Sequence, residues 1–191
     1  MSRTRLEAFS DAVIAIAMTI MVLELKAPHG TDWAALRPLI RSSLTYVLSF
    51  TFLAIYWNNH HHMLHTTDRI DGRILWANMH LLFWLSLIPF VTGWMGENRL
   101  APAPTALYGV VMLMSALAYV ILQTAIIAYQ GRDSRLRQAV GRDLKGKISV
   151  TLYIASIPLA FVNSWISILI YIFVAFLWFI PDRRIETTLG R

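Results

Sequence analysis

Residues 74–96 read ILWANMHLLFWLSLIPFVTGWMG, a run of 23 positions that contains no Asp, Glu, Lys or Arg. Residues 100–131 and residues 148–181 are likewise free of charged side chains. An α-helix rises about 1.5 Å per residue, so about 20 apolar residues span a hydrocarbon core about 30 Å thick. Three uncharged runs longer than this predict an integral membrane protein that crosses the bilayer several times.

The composition of the whole chain agrees with this prediction. Of the 191 residues, 57% are hydrophobic and 15% are charged, whereas soluble domains carry about 25% charged residues. The chain has no cysteine, which excludes disulfides, zinc thiolates and thiol catalysis. Because the sequence shows no catalytic triad order, phosphate-binding glycine loop or cofactor motif, we expect no enzymatic activity and no cofactor.

The apolar runs and the breakers between them predict six transmembrane helices. The fold class is therefore an all-α membrane protein, with one domain over residues 1–191. The 34 uncharged residues 148–181 could form one over-long helix or two helices of about 17 residues each. We expect two, because Asn163 and Ser164 lie at the midpoint and can form a hairpin turn. The predicted helices cover residues 6–26, 38–59, 73–96, 104–130, 147–163 and 165–181.

Lysine and arginine determine the expected orientation. With a cytoplasmic N-terminus, the other side would carry only Lys26, Arg37, Arg41 and Arg99 of the 17 basic residues. Cytoplasmic loops are enriched in these residues, so both termini are expected to be cytoplasmic, and the net charge of +6 requires no nucleic-acid partner. The 13 residues on the cytoplasmic side are Arg3, Arg5, Arg69, Arg73, Arg132, Arg135, Arg137, Arg142, Lys145, Lys147, Arg183, Arg184 and Arg191.

The first helix differs from the others. Its charge-free stretch covers only residues 12–23, so the span needs Asp11 at one end and Glu24 at the other. Ionisable residues inside a membrane usually face a bundle interior or a water-filled path. We therefore expect this helix to be central and surrounded by more apolar helices, unless both acids lie at headgroup depth.

Four residues near the start of this helix form a candidate polar group. Arg5 and Phe9 are four residues apart and share a helical face, with Ser10 and Asp11 on neighbouring faces. A buried arginine and a buried aspartate need partners, so we predict a hydrogen-bonded cluster that joins the first three helices. Candidate partners at matching depth in the second and third helices are Asn58, Asn59, His60, His61, Trp76, Asn78 and His80.

An apolar stripe follows Asp11 on the first helix. Ile16, Ile20 and Leu23 are spaced i, i+4 and i+7, so they share one face. Such a stripe is most often a packing face. It could also form rings of apolar side chains from several copies of the helix, which make a constriction that excludes water.

Three stretches of this chain resemble the transmembrane protein 175 potassium channel family. The pattern R-x-x-x-F-S-D over residues 5–11, followed by AVIAIA, resembles the start of the family's first helix. Residues 56–61, YWNNHH, resemble the end of its second helix, and residues 76–90 resemble its third. The resemblance covers about the first half of the chain.

The resemblance implies a potassium-selective leak channel without the usual filter sequence. Prokaryotic members have one six-helix unit and assemble as homotetramers around a central pore lined by the first helix, which implies a multi-pass protein of a prokaryotic cell membrane. The family's apolar constriction falls on Ile16, Ile20 and Leu23, and its hydroxyl position near the selectivity level falls on Thr19.

The resemblance also implies a structural role for the motif group. In the family this group holds the first helix against the second and third helices. Together with the predicted polar cluster, this role falls here on Arg5, Phe9, Ser10, Asp11, Trp57, His61 and Asn78.

The sequence leaves two functions other than a channel, and its histidines raise the question of a metal site. A proton-coupled secondary transporter could use Asp11 or Glu24, but helices 1–3 and 4–6 share no visible repeat of the kind that many transporters have. A structural protein with no flux would use the apolar stripe only for packing. His61 and His65 are four residues apart and could share a metal ion, but Asp68 is the only nearby third ligand, so we expect no metal site.

Overall fold

The computed structural model describes residues 2–67, 70–131, 134–141 and 143–179, with only the backbone of residues 135, 139 and 140. These residues form helices joined by short turns, and no β-strand occurs among them. The α-helices are α1 (Arg3–Ile20), α2 (Ile40–His65), α3 (Gly72–Ser86), α4 (Ile88–Glu97), α5 (Pro102–Gln130), α6 (Arg135–Val140), α7 (Leu144–Val162) and α8 (Ser164–Phe179), and 3₁₀ helices cover Met21–Glu24 and Trp33–Leu39.

The second helix is longer than the sequence predicts. A 3₁₀ segment leads into α2, which continues past the expected end at residue 59 to His65. Asn and His have only middling helix propensity, and tertiary packing overrides such a weak preference. The extension places His60, His61, His62 and His65 on the helix rather than in a loop.

The helix predicted over residues 73–96 corresponds to the apolar segment Gly72–Glu97, but the structure adds a break near its middle. The segment breaks at Leu87 into α3 and α4, with Pro89 in the first turn of α4. Proline has no N–H to donate to the carbonyl four residues earlier, and its ring clashes there, so an α-helix cannot continue unchanged through it.

The remaining helices begin and end close to the expected residues. Pro102 and Pro104 lie in the first turn of α5, where the missing N–H groups have no helical partner in any case. Gly131 follows α5 with a φ of 91°, a conformation that glycine adopts without strain. The short helix α6 is an addition that the sequence does not predict.

The last apolar run forms two helices, as predicted. α7 and α8 are joined at Asn163, whose side-chain oxygen accepts a hydrogen bond from the backbone N–H of Trp165 over 3.0 Å. The described part of α8 ends at Phe179. Residues 180 and 181 of the predicted helix lie outside the described residues.

Several segments are long and apolar enough to cross a membrane, which makes this an all-α multi-pass membrane protein. The described part of α8 has 16 residues, close to the usual minimum of about 17. The five segments that meet the length requirement are Arg3–Glu24, Trp33–His65, Gly72–Glu97, Pro102–Gln130 and Leu144–Val162.

Contacts between helix ends show how the spans alternate in direction. Asp11 near the start of α1 bonds Trp57 near the end of α2. The side chain of Gln130 at the end of α5 donates to the carbonyl of Thr66, just after α2. These contacts define one end of the bundle, called the Asp11 end. The opposite end, where Lys26 pairs with Glu97, is called the Lys26 end.

The expected orientation depends on 17 basic residues, and six of them lie outside the described residues. The basic residues that lie outside the described residues are Arg69, Arg132, Arg142, Arg183, Arg184 and Arg191.

The core of the bundle surrounds α5, which packs on α3, α4, α7 and α8. Buried hydroxyls tie this core together. Ser49 of α2 bonds the hydroxyl of Thr92 in α4 over 2.7 Å and the hydroxyl of Tyr108 in α5 over 3.0 Å. Hydrogen bonds between helices help to hold membrane bundles together, because lipid is as apolar as the helix surfaces.

α1 is not enclosed within one subunit. It packs on α2, α3 and α4 and leaves its remaining surface open. Within one copy of the chain, the described helices cover only one side of α1, so the expectation that more apolar helices surround it stays a prediction for an assembly of several copies. None of the described residues covers the open face of α1.

Candidate functional site

α1 has one buried face and one open face. The buried face repeats at helical spacing and packs against the neighbouring helices; it consists of Leu6, Ser10, Ile14, Ala17 and Met21. Because an α-helix has 3.6 residues per turn, the residues between these positions point to the other side. The open face therefore runs along the whole span from the Asp11 end to the Lys26 end.

All four residues predicted for the pore lie on this open face. The exposed fractions are 57% for Ile16, 44% for Ile20 and 75% for Leu23. Thr19 is also exposed, and its hydroxyl donates to the carbonyl of Ala15 over 2.8 Å. Since that bond uses the hydroxyl proton, the oxygen of Thr19 has only acceptor capacity left for the open side.

A fully buried polar chain links α1, α3 and α2. Asn78 Nδ2 donates to Ser10 Oγ over 2.9 Å, and Asn78 Oδ1 lies 2.7 Å from His60 Nε2. The Ser10 hydroxyl donates to the carbonyl of Leu6 over 2.8 Å. The exposed fraction of Ser10, Asn78 and His60 is at most 1%.

The hydrogen-bond directions in this chain follow from one another. Ser10 has used its proton on Leu6, so it can only accept from Asn78, and the amide nitrogen of Asn78 must face it. The amide oxygen of Asn78 then faces His60 and can only accept, so the Nε2 atom of His60 carries a proton. Every member is thus satisfied, which a buried polar network requires.

A second polar contact lies beside this chain, nearer the surface. Trp57 Nε1 donates to Asp11 Oδ1 over 2.9 Å. The ring of His61 stacks on Trp57, with centroids 6.0 Å apart. His61 therefore reaches Asp11 only through the indole, and His60 is the histidine that enters the buried network.

Two motif residues stay outside these contacts. Arg5 is exposed and makes no ion pair or hydrogen bond with any residue that the structure describes. Phe9 is 48% exposed. Both side chains lie at the Asp11 end, on the part of α1 that the subunit itself leaves open.

Helical periodicity in the sequence could have identified His60 as a buried residue. It lies seven residues after Leu53 and four before Leu64, and both leucines are fully buried. Helical spacing therefore places His60 on the buried face of α2. His61, one position further, turns toward the surface.

A contact at the Lys26 end was not anticipated from sequence. A Cβ atom built on Gly93 of α4 would lie 2.7 Å from Oε2 of Glu24 and 3.2 Å from its Cγ. The Glu24 side chain thus lies directly against the backbone of α4, and a Cβ at this position would force it to shift. A glycine inside a long apolar run is the one sequence signal for such a close approach.

Lys26 and Glu97 form an ion pair at the Lys26 end. Lys26 Nζ lies 2.5 Å from Glu97 Oε1. The hydrogen bond and the charge of Glu97 raise the pKa of Lys26 above its ordinary value of 10.5. Because the pair is exposed to solvent, it is screened and contributes little to stability.

The histidine group does not form a metal site within the described part of the chain. No three His, Asp or Glu side chains there lie close enough together to hold a metal ion. The rings of His61 and His65 pack edge to face with centroids 4.3 Å apart. Asp68, the third ligand considered from sequence, lies outside the described residues.

Comparison with known proteins gives a consistent result. A family model described as "Endosomal/lysosomal potassium channel TMEM175" matches residues 5–89. A protein described as a potassium channel from Chryseobacterium sp. strain P1-3 is 49% identical over 189 residues, 99% of this chain and 98% of that protein. Another, from Streptomyces collinus, is 32% identical over 174 residues, 81% of this chain and 84% of that protein.

The fold is also similar to a solved structure. The crystal structure of a lysosomal potassium-selective channel TMEM175 homolog from Chamaesiphon minutus matches with a TM-score of 0.82 and 25% identity. The match covers 94% of this chain and 97% of that one. The motif at the start of α1, the identity along nearly the whole length and the shared fold lead to one conclusion: this chain belongs to the TMEM175 potassium channel family.

Proposed function

We propose that four copies of this chain form a potassium-selective leak channel whose central pore is lined by α1. The observation that carries the proposal is the open face of α1, which exposes Ile16, Ile20 and Leu23 along one line. The relatives described as potassium channels support the choice of ion.

An apolar face could also contact lipid, but the acidic residues of α1 favour a pore. Asp11 lies near one end of the helix and Glu24 lies at the other. Ionisable side chains in membrane spans usually face a water-filled path or a bundle interior. Four copies of α1 around an axis would keep both carboxylates near water.

The proposed conduction mechanism depends on pore radius. Rings of Ile16, Ile20 and Leu23 offer no oxygen ligands, so a hydrated or partly hydrated ion must pass through the constriction. The acceptor oxygen of Thr19 would be the one side-chain ligand at this level. Narrow apolar rings also empty of water easily, which gives a closed state by dewetting. We expect modest selectivity over sodium.

The proposed placement in the membrane has six crossings and cytoplasmic termini. Residues 1–191 then form one transmembrane domain in the cell membrane. The sixth crossing is α8, whose described part, Ser164–Phe179, is apolar and close to the minimum length of about 17 residues for a span. The N-terminus is placed inside because basic residues concentrate at that side of the chain.

The motif group is proposed to hold α1 in place rather than to conduct ions. Ser10 and Asn78 would anchor it to α3, and Asp11 and Trp57 would anchor it to α2, with His61 supporting the indole. Arg5 and Phe9 remain open in one subunit, so we propose that they meet the adjacent copy.

Potassium flux in proteoliposomes tests the pore assignment. Replacing Ile16 with Asn should wet the constriction and raise the leak about tenfold, which corresponds to about 1.4 kcal/mol off the permeation barrier. The matched control is Ile154→Asn, because Ile154 is 56% exposed but belongs to α7. An unchanged current in Ile16→Asn, or an equal increase in the control, would remove α1 from the pore.

The selectivity role of Thr19 is tested in the same proteoliposomes. Thr19→Val keeps the shape of the side chain and removes its oxygen. The potassium-to-sodium permeability ratio, measured from reversal potentials, should fall severalfold, as expected for losing a contact worth about 1 kcal/mol. An unchanged ratio would show that selectivity lies elsewhere.

The alternative is a proton-coupled secondary transporter that uses Asp11 or Glu24. This alternative remains because both carboxylates have defined positions. Asp11 accepts a hydrogen bond from Trp57, and Glu24 lies against Gly93. A transporter would show saturating flux coupled to a pH gradient. A channel would show flux that rises with the potassium gradient and does not depend on a proton gradient.

A further inference from the structure

A groove of about 410 Å³ lies between α2 and α8. Its walls are almost entirely apolar, with Leu44 and Leu48 on one side and Ile172 and Phe176 on the other. Among the described lining residues, Arg41 is the only one with a charge. The groove is therefore hydrophobic, and its described wall contains a single guanidinium, that of Arg41.

The length and position of the groove fit one acyl chain that starts at the membrane surface. On α2 its lining runs from Arg41 to Thr51 and on α8 from Trp165 to Phe179, which are about 15 Å and about 21 Å along the helix axes. These lengths are half to two thirds of a hydrocarbon core about 30 Å thick. Arg41 lies in the first turn of α2, at the Lys26 end, so the guanidinium is at the membrane surface and the apolar part extends inward.

The charge in the groove has no partner within the described residues. Arg41 is exposed and makes no ion pair or hydrogen bond with any of them. A guanidinium matches the geometry of a phosphate, to which it donates two parallel hydrogen bonds. Trp165 also lines the groove at this end and is exposed, as is typical of tryptophan at headgroup depth.

The groove faces away from the helix proposed to line the pore. Trp57, which contacts α1, follows Arg41 by 16 positions on α2. At 3.6 residues per turn the two side chains are separated by about 160° around the helix. The surface of α2 that carries the groove is thus nearly opposite to the surface that meets α1, which favours lipid over a pore helix as the occupant.

We propose that this groove binds one phospholipid from the leaflet at the Lys26 end. One acyl chain lies between α2 and α8, and the phosphate accepts hydrogen bonds from the guanidinium of Arg41. This inference concerns lipid binding alone and stands whether or not the protein conducts potassium.

Native mass spectrometry of the full chain, delipidated in detergent and then mixed with phosphatidylglycerol, tests the site. The wild type should retain one phospholipid per chain. Arg41→Gln should raise the lipid concentration needed for half occupancy about fivefold, the ratio expected for one basic residue that attracts an anionic lipid, and so reduce the bound fraction at subsaturating lipid. Ile172→Trp, which fills the groove, should reduce it at least as much. Only monodisperse samples with wild-type helical content are compared.

Two matched variants serve as controls. Arg37→Gln removes an exposed arginine one turn earlier, and Ile154→Trp adds the same bulk to an exposed position on α7; neither position lines the groove. Both should retain the lipid as the wild type does.

Four results would overturn the proposal. The first is that the wild type retains no phospholipid, and the second is that Arg41→Gln and Ile172→Trp bind lipid as the wild type does. The third is that the control variants lose as much lipid as these two. The fourth is that a Leu44→Cys protein forms disulfide-linked dimers in the bilayer. The last result would assign the groove to a second copy of the chain, since the natural sequence has no cysteine.

Discussion

Asn78 of α3 donates a hydrogen bond to Ser10 of α1 over 2.9 Å, and both side chains are fully buried. Ser10 belongs to the motif over residues 5–11 near the start of the first helix. The bond therefore connects the family's most recognisable sequence feature to a neighbouring helix, on the side of α1 that faces away from the open face. It determines which face of α1 is left for other molecules.

Replacing Asn78 with Ala should destabilise the protein. The change removes the donor to Ser10 and leaves the Nε2–H group of His60 without an acceptor in the interior. An unsatisfied buried group costs about 1–3 kcal/mol, so the melting temperature followed by circular dichroism in detergent should fall. Asn58→Ala, at an exposed position on α2, is the control. Equal melting temperatures for the two variants would contradict the network.

Gly93→Ala should destabilise the protein in a way that a second change repairs. The new Cβ would force the Glu24 side chain to shift; overpacking costs up to about 1–3 kcal/mol, and the higher helix propensity of Ala offsets about 1 kcal/mol of this cost. Shortening the acid in the double variant Gly93→Ala/Glu24→Ala removes the collision and should restore most of the loss. If the double variant unfolds at a temperature equal to or below that of Gly93→Ala, the contact is not the cause.

The ion pair between Lys26 and Glu97 should make stability pH-dependent in the alkaline range. The pKa of Lys26 is higher in the folded protein than its ordinary value of 10.5. Its contribution is therefore complete below about pH 10.5 and is lost as the pH rises through the raised pKa. Melting temperatures of the wild type and Lys26→Met should converge above that pH. A constant difference across the alkaline range would argue against the pair.

Four copies of α1 around an axis should bring Leu23 side chains together. The protein has no native cysteine, so Leu23→Cys provides a single thiol per chain, and a disulfide needs Cβ atoms about 3.8 Å apart. Mild oxidation in the bilayer should yield covalent dimers on a non-reducing gel, while the assembly keeps the mass of a tetramer. Ile154→Cys, at an exposed position on α7, should stay monomeric. Cross-linking in both variants would reflect collision rather than a shared axis.

Sequence patterns predict the helices well because they depend on local rules. Uncharged runs of sufficient length require helices in a bilayer, and the pair Asn163–Ser164 marks the turn between α7 and α8 correctly. The break at Leu87 was open to prediction as well, since Pro89 cannot donate to the carbonyl of Leu85. The extension of α2 to His65 was not, because it depends on packing around His60.

The candidate site, like the helices, is predicted in part from the sequence and decided in part by tertiary packing. The motif and the spacing of Ile16, Ile20 and Leu23 are visible in the sequence, and they suffice to recognise the family. The choice of His60 over His61 follows from helical spacing on α2, whereas the pairing of Glu24 with Gly93 depends on how α1 is rotated against α4.

By itself, the sequence determined that this protein lies in a membrane and crosses it as helices, because a bilayer offers no water to satisfy backbone groups or charges. Only the tertiary structure decided which side of α1 is buried and which is open. That choice comes from interhelical contacts such as Ser10 with Asn78, which join residues far apart in the chain and so leave no local signal.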